Sequence, residues 1–572
     1  MLLFRKEATM KLHDEKLKKL ETKIEQVRRR KIADCGQDSF EYIDTGANVN
    51  KLQIYNNNII EARRGCGKTS LVLKSIEENE ETTVQCDCQL FRKMDKDIII
   101  LEILSNLIDV MQKTMQTDEY LTFCRSYEKQ TGGVMGWCRK KLKKIDVDDT
   151  KRYDNYKAFV RLLNILLKKI KEIEKMPEEQ IEKIAFHQGR SQNQEQENRL
   201  LIKKQAKIDG SNLITSNYCG LCASIENSIS IGADYESKHV EASSEYKSAE
   251  RTQHQEILIK RIEEVNALKK IIISTLEGYK LESGKGVMLY LDDFYQIPRE
   301  EHPYIIQYFH DIYKATKSNI FCFKVVTLPS ALKINYDNEV IFSIKDDFSS
   351  IYLDYDLSNL QKVQEHLLEI LIALDHSIGL SIQDVKSLFT NDYTLKFLVI
   401  ATGGIPRDFM TSFCEAVRIS KRDGKERIGK DQIYEVIKNL KTDKDNNIEV
   451  DSELPTDKIE CAIEVINTEI IRNMRTNVIL YPVEKAEQHE KLLRNLTNLR
   501  YLHLIKSKMT SEKTKQECRA YLIDMTFYAC ARIPSSFNFC EFWVMDDASR
   551  LNNLRRAPVW SFPEESVREI LS

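Results

Sequence analysis

Short, dense apolar runs and longer helix-spaced ones alternate along the first part of this chain. Ile59 and Ile60, Thr82 to Cys88, Val287 to Leu291 and Asn319 to Thr327 are compact apolar stretches, the signature of buried strands. Between the first two lies Leu71-Val72-Leu73 with Ile76, and after them Asp97 to Met111, a strongly apolar helix. Residues 40 to 115 therefore predict α/β architecture around a mostly parallel sheet. Ahead of them, Leu12, Leu17, Leu20, Ile24 and Val27 stand at near-helical spacing among many Lys and Glu, so 11–33 reads as a helix. Its cluster Arg28 to Lys31 suits either a solvated amphipathic helix or a contact with nucleic acid or a neighbouring subunit.

The pattern then changes. From about 120 to 275 the chain is rich in Lys, Glu and Gln and reads as mainly helical, with helical periodicity in Tyr156–Leu167 and Glu256–Leu268. Between these, Ser211 to Tyr235 is rich in Ser, Asn and Gly and suits a hairpin or a mobile loop. Residues 351–440 run helix after helix, and Gly403-Gly404 ends one helix before Pro406 opens the next. In the last stretch, Cys461–Ile471 and Lys491–Leu499 read as helices. Tyr501–Ile505 and Arg519–Phe527 read as strands around a charged turn, Lys506 to Glu517.

Composition narrows the class without naming a function. The 572 residues are 42% hydrophobic and 30% charged, which suits a soluble protein of three or four domains. A formal net charge of −2 leaves any nucleic-acid contact to a local patch. No apolar run nears the roughly 18 residues of a membrane span, and Met1 to Lys6 is too short for a signal peptide, so the expected location is cytoplasmic. Fourteen scattered cysteines suit reduced thiols; Cys219 and Cys222 have metal-ligand spacing but no second pair follows them.

Chemistry concentrates at two places. The segment Ala62-Arg63-Arg64-Gly65-Cys66-Gly67-Lys68-Thr69-Ser70 joins an apolar strand to a helix through glycines. Glycines let backbone N–H groups turn inward, the new helix presents its positive end, Lys68 adds a charge and Thr69 offers a hydroxyl to Mg²⁺. A nucleoside triphosphate, with ATP the expected one, fits this cradle, although Ala62 stands where the usual phosphate-loop pattern has glycine. Cys66, beside Lys68 at a helix start, suits a thiolate, or simply a small side chain filling a permitted loop position. The second place is Val287 to Asp293, a buried strand ending in two carboxylates. Asp292 is positioned to hold Mg²⁺ and Asp293 to polarise the attacking water. Thr327, closing the next strand, would lie between the two motif strands and could meet water or the γ-phosphate, or be an ordinary strand-ending threonine. Arg407, at a helix start where a cation lacks favour without an anionic partner, suits the γ-phosphate as well.

Arg64 to Thr69, Leu289 to Phe294, Thr327 and Gly403 to Arg407, in that order, resemble the ATPase core of the Orc/Cdc6-like branch of AAA+ proteins, which is similar to the STAND signalling ATPases. The resemblance covers roughly 40–115 and 280–440. It implies a P-loop α/β core with a helical lid, Thr327 as sensor 1, Arg407 as sensor 2, and a C-terminal winged helix. The resulting division is an N-terminal amphipathic helix (1–39), a core in two parts (40–119 and 276–350) around an insertion (120–275), a lid (351–445) and a winged-helix-like domain (446–572). The insertion departs from the ordinary core and resembles elaborations in bacterial ATPases, some tied to phage defence. No residue matches the family's arginine finger: Arg299 is nearest in sequence, and Lys314 or Lys317 is closer to its expected place. Asp293 is one methylene shorter than the Glu usual in fast members. The expectation is a slow ATPase switch that engages a protein partner through its insertion, with self-association open. DNA bound through Lys506, Lys508, Lys513 and Lys515 is the competing use of the last domain, and a nucleotide-held scaffold the competing use of the whole.

Overall fold

A computed structural model describes residues 10–28, 42–44, 46–116, 118–131, 147–177, 179–186, 218, 222, 253–336, 340–354, 357–446, 448, 454–529, 536–545 and 547–571. The loop expected at 211–235 apart from residues 218 and 222, with Cys219, and most of the basic cluster after Arg28 lie outside them. The α/β expectation holds. Strands β1 (Asn58–Glu61), β2 (Thr82–Asp87), β5 (Val287–Asp292), β6 (Phe321–Thr327) and β7 (Ser349–Tyr352) make a five-stranded parallel sheet in the order β2-β5-β6-β1-β7. Every residue of β5 and β6 is buried, as central strands covered on both faces require.

The two-residue repeat of the strands divides their side chains between two layers. Leu289, Leu291, Phe323 and Val325 face one cluster, Met288, Tyr290, Cys322 and Val326 the other. The second cluster is closed by Leu71 and Val72 of helix α2 (Lys68–Glu77). The first is closed by α3 (Lys96–Met115), by α4 (Val147–Glu174) and α5 (Arg261–Ser283), and by α6 (His302–Ala315). Helices α4 and α5 belong to the long insertion read from the sequence, yet Phe159, Leu166, Ile170, Leu268 and Ile272 share the core of the sheet.

From the far ends of α4 and α5 leaves a two-stranded antiparallel ribbon, β3 (Glu179–Phe186) with β4 (Gln253–Lys260). This corrects the sequence reading, in which 256–268 was one helix: the chain is a strand to Lys260 and a helix from Arg261. Ile257-Leu258-Ile259 is a short apolar run that fits either period, and pairing with Ile181 and Glu182 decides it. Buried Arg261 anchors the junction, bonding the Asp97 carboxylate and the Met176 carbonyl (3.1 Å).

A separate core joins the amino-terminal helix to everything after residue 356. Leu17, Leu20 and Ile24 of α1 (Glu15–Arg28) pack with α7 (Leu360–Ala373), with α8 (Pro406–Arg422), and with the C-terminal elements. Ion pairs Glu21–Lys421 (2.7 Å) and Glu25–Arg418 (3.0 Å) align α1 on α8, so the helix is neither a free solvated one nor a basic arm in its described part. At the carboxyl end β8 (Val478–Pro482), β9 (Leu502–Thr510) and β10 (Glu517–Ile523) form an antiparallel sheet in the order β8-β10-β9. Lys506 and Lys508 thus sit on β9 rather than in the turn expected from the sequence, and Lys508 pairs with Glu517 across the hairpin (2.9 Å). No helix among the described residues is long and apolar enough to cross a membrane.

Candidate nucleotide site

The chain leaves β1 at Glu61 and folds back before α2. Ala62, fully buried, donates its N–H to the Thr327 carbonyl (3.3 Å) and keeps a negative φ, so the position does not need glycine. Gly65 (φ +86°) and Gly67 (φ +83°) do need it, being left-handed. Gly65 is also crowded: a Cβ there would lie 2.9 Å from Arg407 Cβ and 3.0 Å from Ile405. The start of α8 therefore rests on the loop, and the Arg407 N–H donates to the Gly65 carbonyl (3.2 Å). Lys68 Nζ is buried in the crook, donating to the carbonyls of Ala62 (2.9 Å) and Arg63 (3.3 Å). Burial lowers its affinity for the proton, against the pull of Asp293.

Across from the loop, β5 delivers the two carboxylates. Asp292 is 2% exposed, receives the Asp293 N–H (3.0 Å) and bonds the Thr69 hydroxyl. Burial, then the charge of Asp293, pushes its carboxyl up to about 6. Thr69 and Asp292 offer adjacent oxygens, the donor type Mg²⁺ takes when phosphates complete its shell. Among the described residues no group of three His, Cys, Asp or Glu forms a fuller metal cage. Asp293 has a left-handed backbone (φ 51°), and its Oδ2 accepts from Gln89 Nε2 at 2.8 Å. The only signal of Gln89 in the sequence is a polar side chain shortly after the second strand.

These groups share one cavity of about 950 Å³, at the upper end of small-molecule sites. Arg64 to Ser70, Asp292, Asp293 and Arg407 line it. So do residues without a sequence signal: Tyr42 and Ile43 ahead of the sheet, Tyr295 after β5, Asp354 after β7, His366 and Ile370 of α7, and Met410 of α8. Burial holds His366 down at about 4, so it is neutral near pH 7. Ala62 and Arg63, expected in the nucleotide cradle, do not line the cavity: both are buried, Ala62 against the end of β6 and Arg63 turned towards Asp354. Two further residues differ from expectation. Thr327 does stand between the motif strands, opposite Glu61, but its hydroxyl is buried, has no hydrogen-bonding partner among the described residues and does not line the cavity. The Cys66 thiol is held well above its usual range by burial and the nearby Asp354 carboxylate, which outweigh Arg63 and Lys68, so of the two readings of this residue the thiolate is not favoured. Arg299, Lys314 and Lys317 are all absent from the cavity wall, and Lys314 is paired with Asp347 (3.3 Å).

Behind the loop runs a buried polar chain. Arg63 donates from its backbone N–H (3.0 Å) and Nε (3.3 Å) to Asp354 Oδ2, and its Nη1 lies 3.4 Å from His503 Nδ1. His503 Nε2 lies 2.7 Å from Asp524 Oδ2, which also meets Lys444 Nζ (2.6 Å). Burial depresses the His503 imidazole, so the neutral ring fits: Nδ1 accepts from Arg63 and Nε2–H donates to Asp524. Burial works against the Asp524 charge, but Lys444 and His503 outweigh it and hold the carboxyl well below the usual range. The C-terminal sheet thereby touches the phosphate loop.

No protein-family model matches the sequence, and no curated protein matches it. Among solved structures the chain is similar to the ORC2 protein of Aeropyrum pernix, solved as ADPNP–ADP complexes, at 9% identity and TM-score 0.30, over 99% of this chain and 97% of that one. It is similar to Cdc6p of Pyrobaculum aerophilum at 12% identity and TM-score 0.21, over 60% of this chain and 76% of that one. A RuvB mutant of Thermotoga maritima is similar at 12% identity and TM-score 0.21, over 43% and 79% of the two chains. Likeness at these scores decides nothing about activity, which rests on the chain's own geometry.

Proposed function

We propose that this chain is an ATP-binding switch that hydrolyses ATP slowly, with Mg²⁺ as its metal. The observation that carries the reading is the convergence of Lys68, Thr69, Asp292, Asp293 and Arg407 on one cavity. The loop N–H groups, the positive end of α2 and Lys68 receive the β- and γ-phosphates. Thr69 and Asp292 would hold Mg²⁺, which when bound would neutralise phosphate charge. Asp293 orients the attacking water, and Arg407, tied by its backbone to Gly65, reads the γ-phosphate from the lid side. Slow turnover is supported by the short Asp293 side chain and by its engagement with Gln89.

The switch follows from contacts that exist in one nucleotide state only. A γ-phosphate drawing on Arg407 biases α8 and everything that shares its core. The setting we infer is a multiprotein bacterial assembly, with antiphage defence suggested by the resemblance of the insertion alone. DNA handling is the second reading, supported by exposed Lys513 and Lys515 at the tip of the β9–β10 hairpin. The test is single-turnover and steady-state ATP hydrolysis, alone and with duplex or single-stranded DNA. Lys68→Ala should abolish nucleotide binding, whereas Asp293→Asn should bind nearly normally and stop turnover. If both variants hydrolyse ATP like the unaltered chain, the site is wrongly assigned; stimulation by DNA would promote the second reading.

A further inference from the structure

The cavity holds a cation that the reading above does not use. Two arginines stand side by side in the phosphate loop and have divided their surroundings. Arg63 is 7% exposed and turned inward, engaged with Asp354 and His503. Arg64 is half-buried and lines the cavity. Its guanidinium carbon lies 5.3 Å from the centroid of the Tyr295 ring, and Lys68 Nζ lies 5.9 Å from that same centroid. Tyr295 is two residues past Asp293, on the turn that follows β5. The ring therefore fixes Arg64 on the side of the cavity where Lys68 and the two carboxylates meet.

We propose that Arg64 is a catalytic cation supplied by the chain to its own site, where its guanidinium takes up charge on the γ-phosphoryl oxygens as ATP is hydrolysed. The inference rests on the ATPase reading. In the step concerned, a water oxygen bonds to the γ-phosphorus as the bond to the β–γ bridging oxygen breaks. ADP leaves with the electron pair, a water proton passes to Asp293, and Arg64 makes and breaks no covalent bond. A planar, permanently charged fork suits three equatorial oxygens better than an ammonium does. Arg64 already lines the cavity.

The experiment compares single-turnover hydrolysis of Mg·ATP by the full chain, Arg64→Ala, Arg64→Lys and Arg92→Ala, the last being another arginine of the cavity wall. Affinity for ADP is measured with and without aluminium fluoride. Arg64→Ala should slow the chemical step by roughly 100-fold or more, keep ADP affinity within about threefold, and lose the tightening by aluminium fluoride. Arg64→Lys should recover only part of the rate. An equal mixture of Arg64→Ala with Asp293→Asn should show no rescue, because the cation and its site are on one chain. Restored activity in that mixture, an Arg64→Ala rate within about threefold of the unaltered chain, or a rate loss confined to Arg92→Ala would each overturn the proposal. Should Arg64→Ala not bind ADP, the lysine variant decides: slowed turnover with ADP bound supports the role, and full speed removes it. An unaltered chain that neither binds nor hydrolyses ATP would remove the ATPase reading itself, whereas a normal one beside an unimpaired Arg64→Ala removes only this inference.

Discussion

Gln89 and Asp293 meet end to end, and the meeting has a cost for catalysis. An amide donating to Oδ2 at 2.8 Å occupies the oxygen that has to accept from water. Gln89→Ala should therefore raise steady-state ATP turnover by roughly fivefold, the equivalent of one hydrogen bond of about 1 kcal/mol, with ADP affinity unchanged. Slower turnover would instead make Gln89 a participant in positioning the water. A second residue sets a pH limit on the fold. His302 is 1% exposed, its Nε2 faces the Ile297 carbonyl at 2.9 Å, and burial pushes the imidazole down to about 4. Below pH ~6.5 the unfolded chain takes a proton there that the folded chain refuses until about pH 4. Stability should thus be full above that range and fall by up to roughly 3 kcal/mol as pH drops through it. Urea denaturation at stepped pH checks this, and His302→Gln should remove its share of the slope, leaving that of His366, which burial also holds down at about 4.

At the scale of elements, the phosphate loop is built against the first turn of α8. Gly65→Ala has two penalties, a left-handed backbone and a Cβ 2.9 Å from Arg407 Cβ. Gly424→Ala has the first alone, since its φ is +64° and nothing lies within 4 Å of the added carbon. The expected outcome is a loss of about 1 kcal/mol of stability with normal ADP binding for Gly424→Ala. Gly65→Ala should lose more stability and bind ADP at least roughly tenfold less tightly, since tenfold is only ~1.4 kcal/mol. Calorimetric titration of both variants separates strain from displacement of α8. The loop and the Asp292–Asp293 pair are legible in the sequence because each is local: glycines, a lysine and a hydroxyl within a few residues, and a buried strand running into carboxylates. The contact between Arg63 and His503 is not, because it joins a loop to a strand some 440 positions away, and nothing in either neighbourhood names the other. Thr327 shows the same limit in reverse. Its place between β1 and β5 could be read from the sequence, but its hydroxyl is buried away from the cavity, and only packing decides which way a strand-ending side chain goes.

The whole molecule is divided by its cores rather than by the order of its residues. One core holds the parallel sheet with α3 to α6; another holds α1, the helices after residue 356 and the C-terminal sheet. They meet at the cavity and along Arg63, His503 and Asp524. The chain should unfold in two calorimetric steps, and saturating Mg·ADP, touching both bodies, should raise both midpoints and narrow the interval between them. A single step without nucleotide, or two steps that Mg·ADP leaves unmoved, would contradict that division. In the insertion, α4 is legible in the sequence as a helix and the β3–β4 ribbon is not, and the packing of α4 and α5 into the sheet's core is something periodicity alone does not reveal. A last consequence concerns Ile24, which is buried in the second core and also faces the cavity. A chain shortened to begin after residue 40 would keep every phosphate-binding group and lose one side of the enclosure. Nucleotide should still enter it, but stay for less time. The amino-terminal helix would then set how long the switch remembers its last nucleotide rather than whether it binds one.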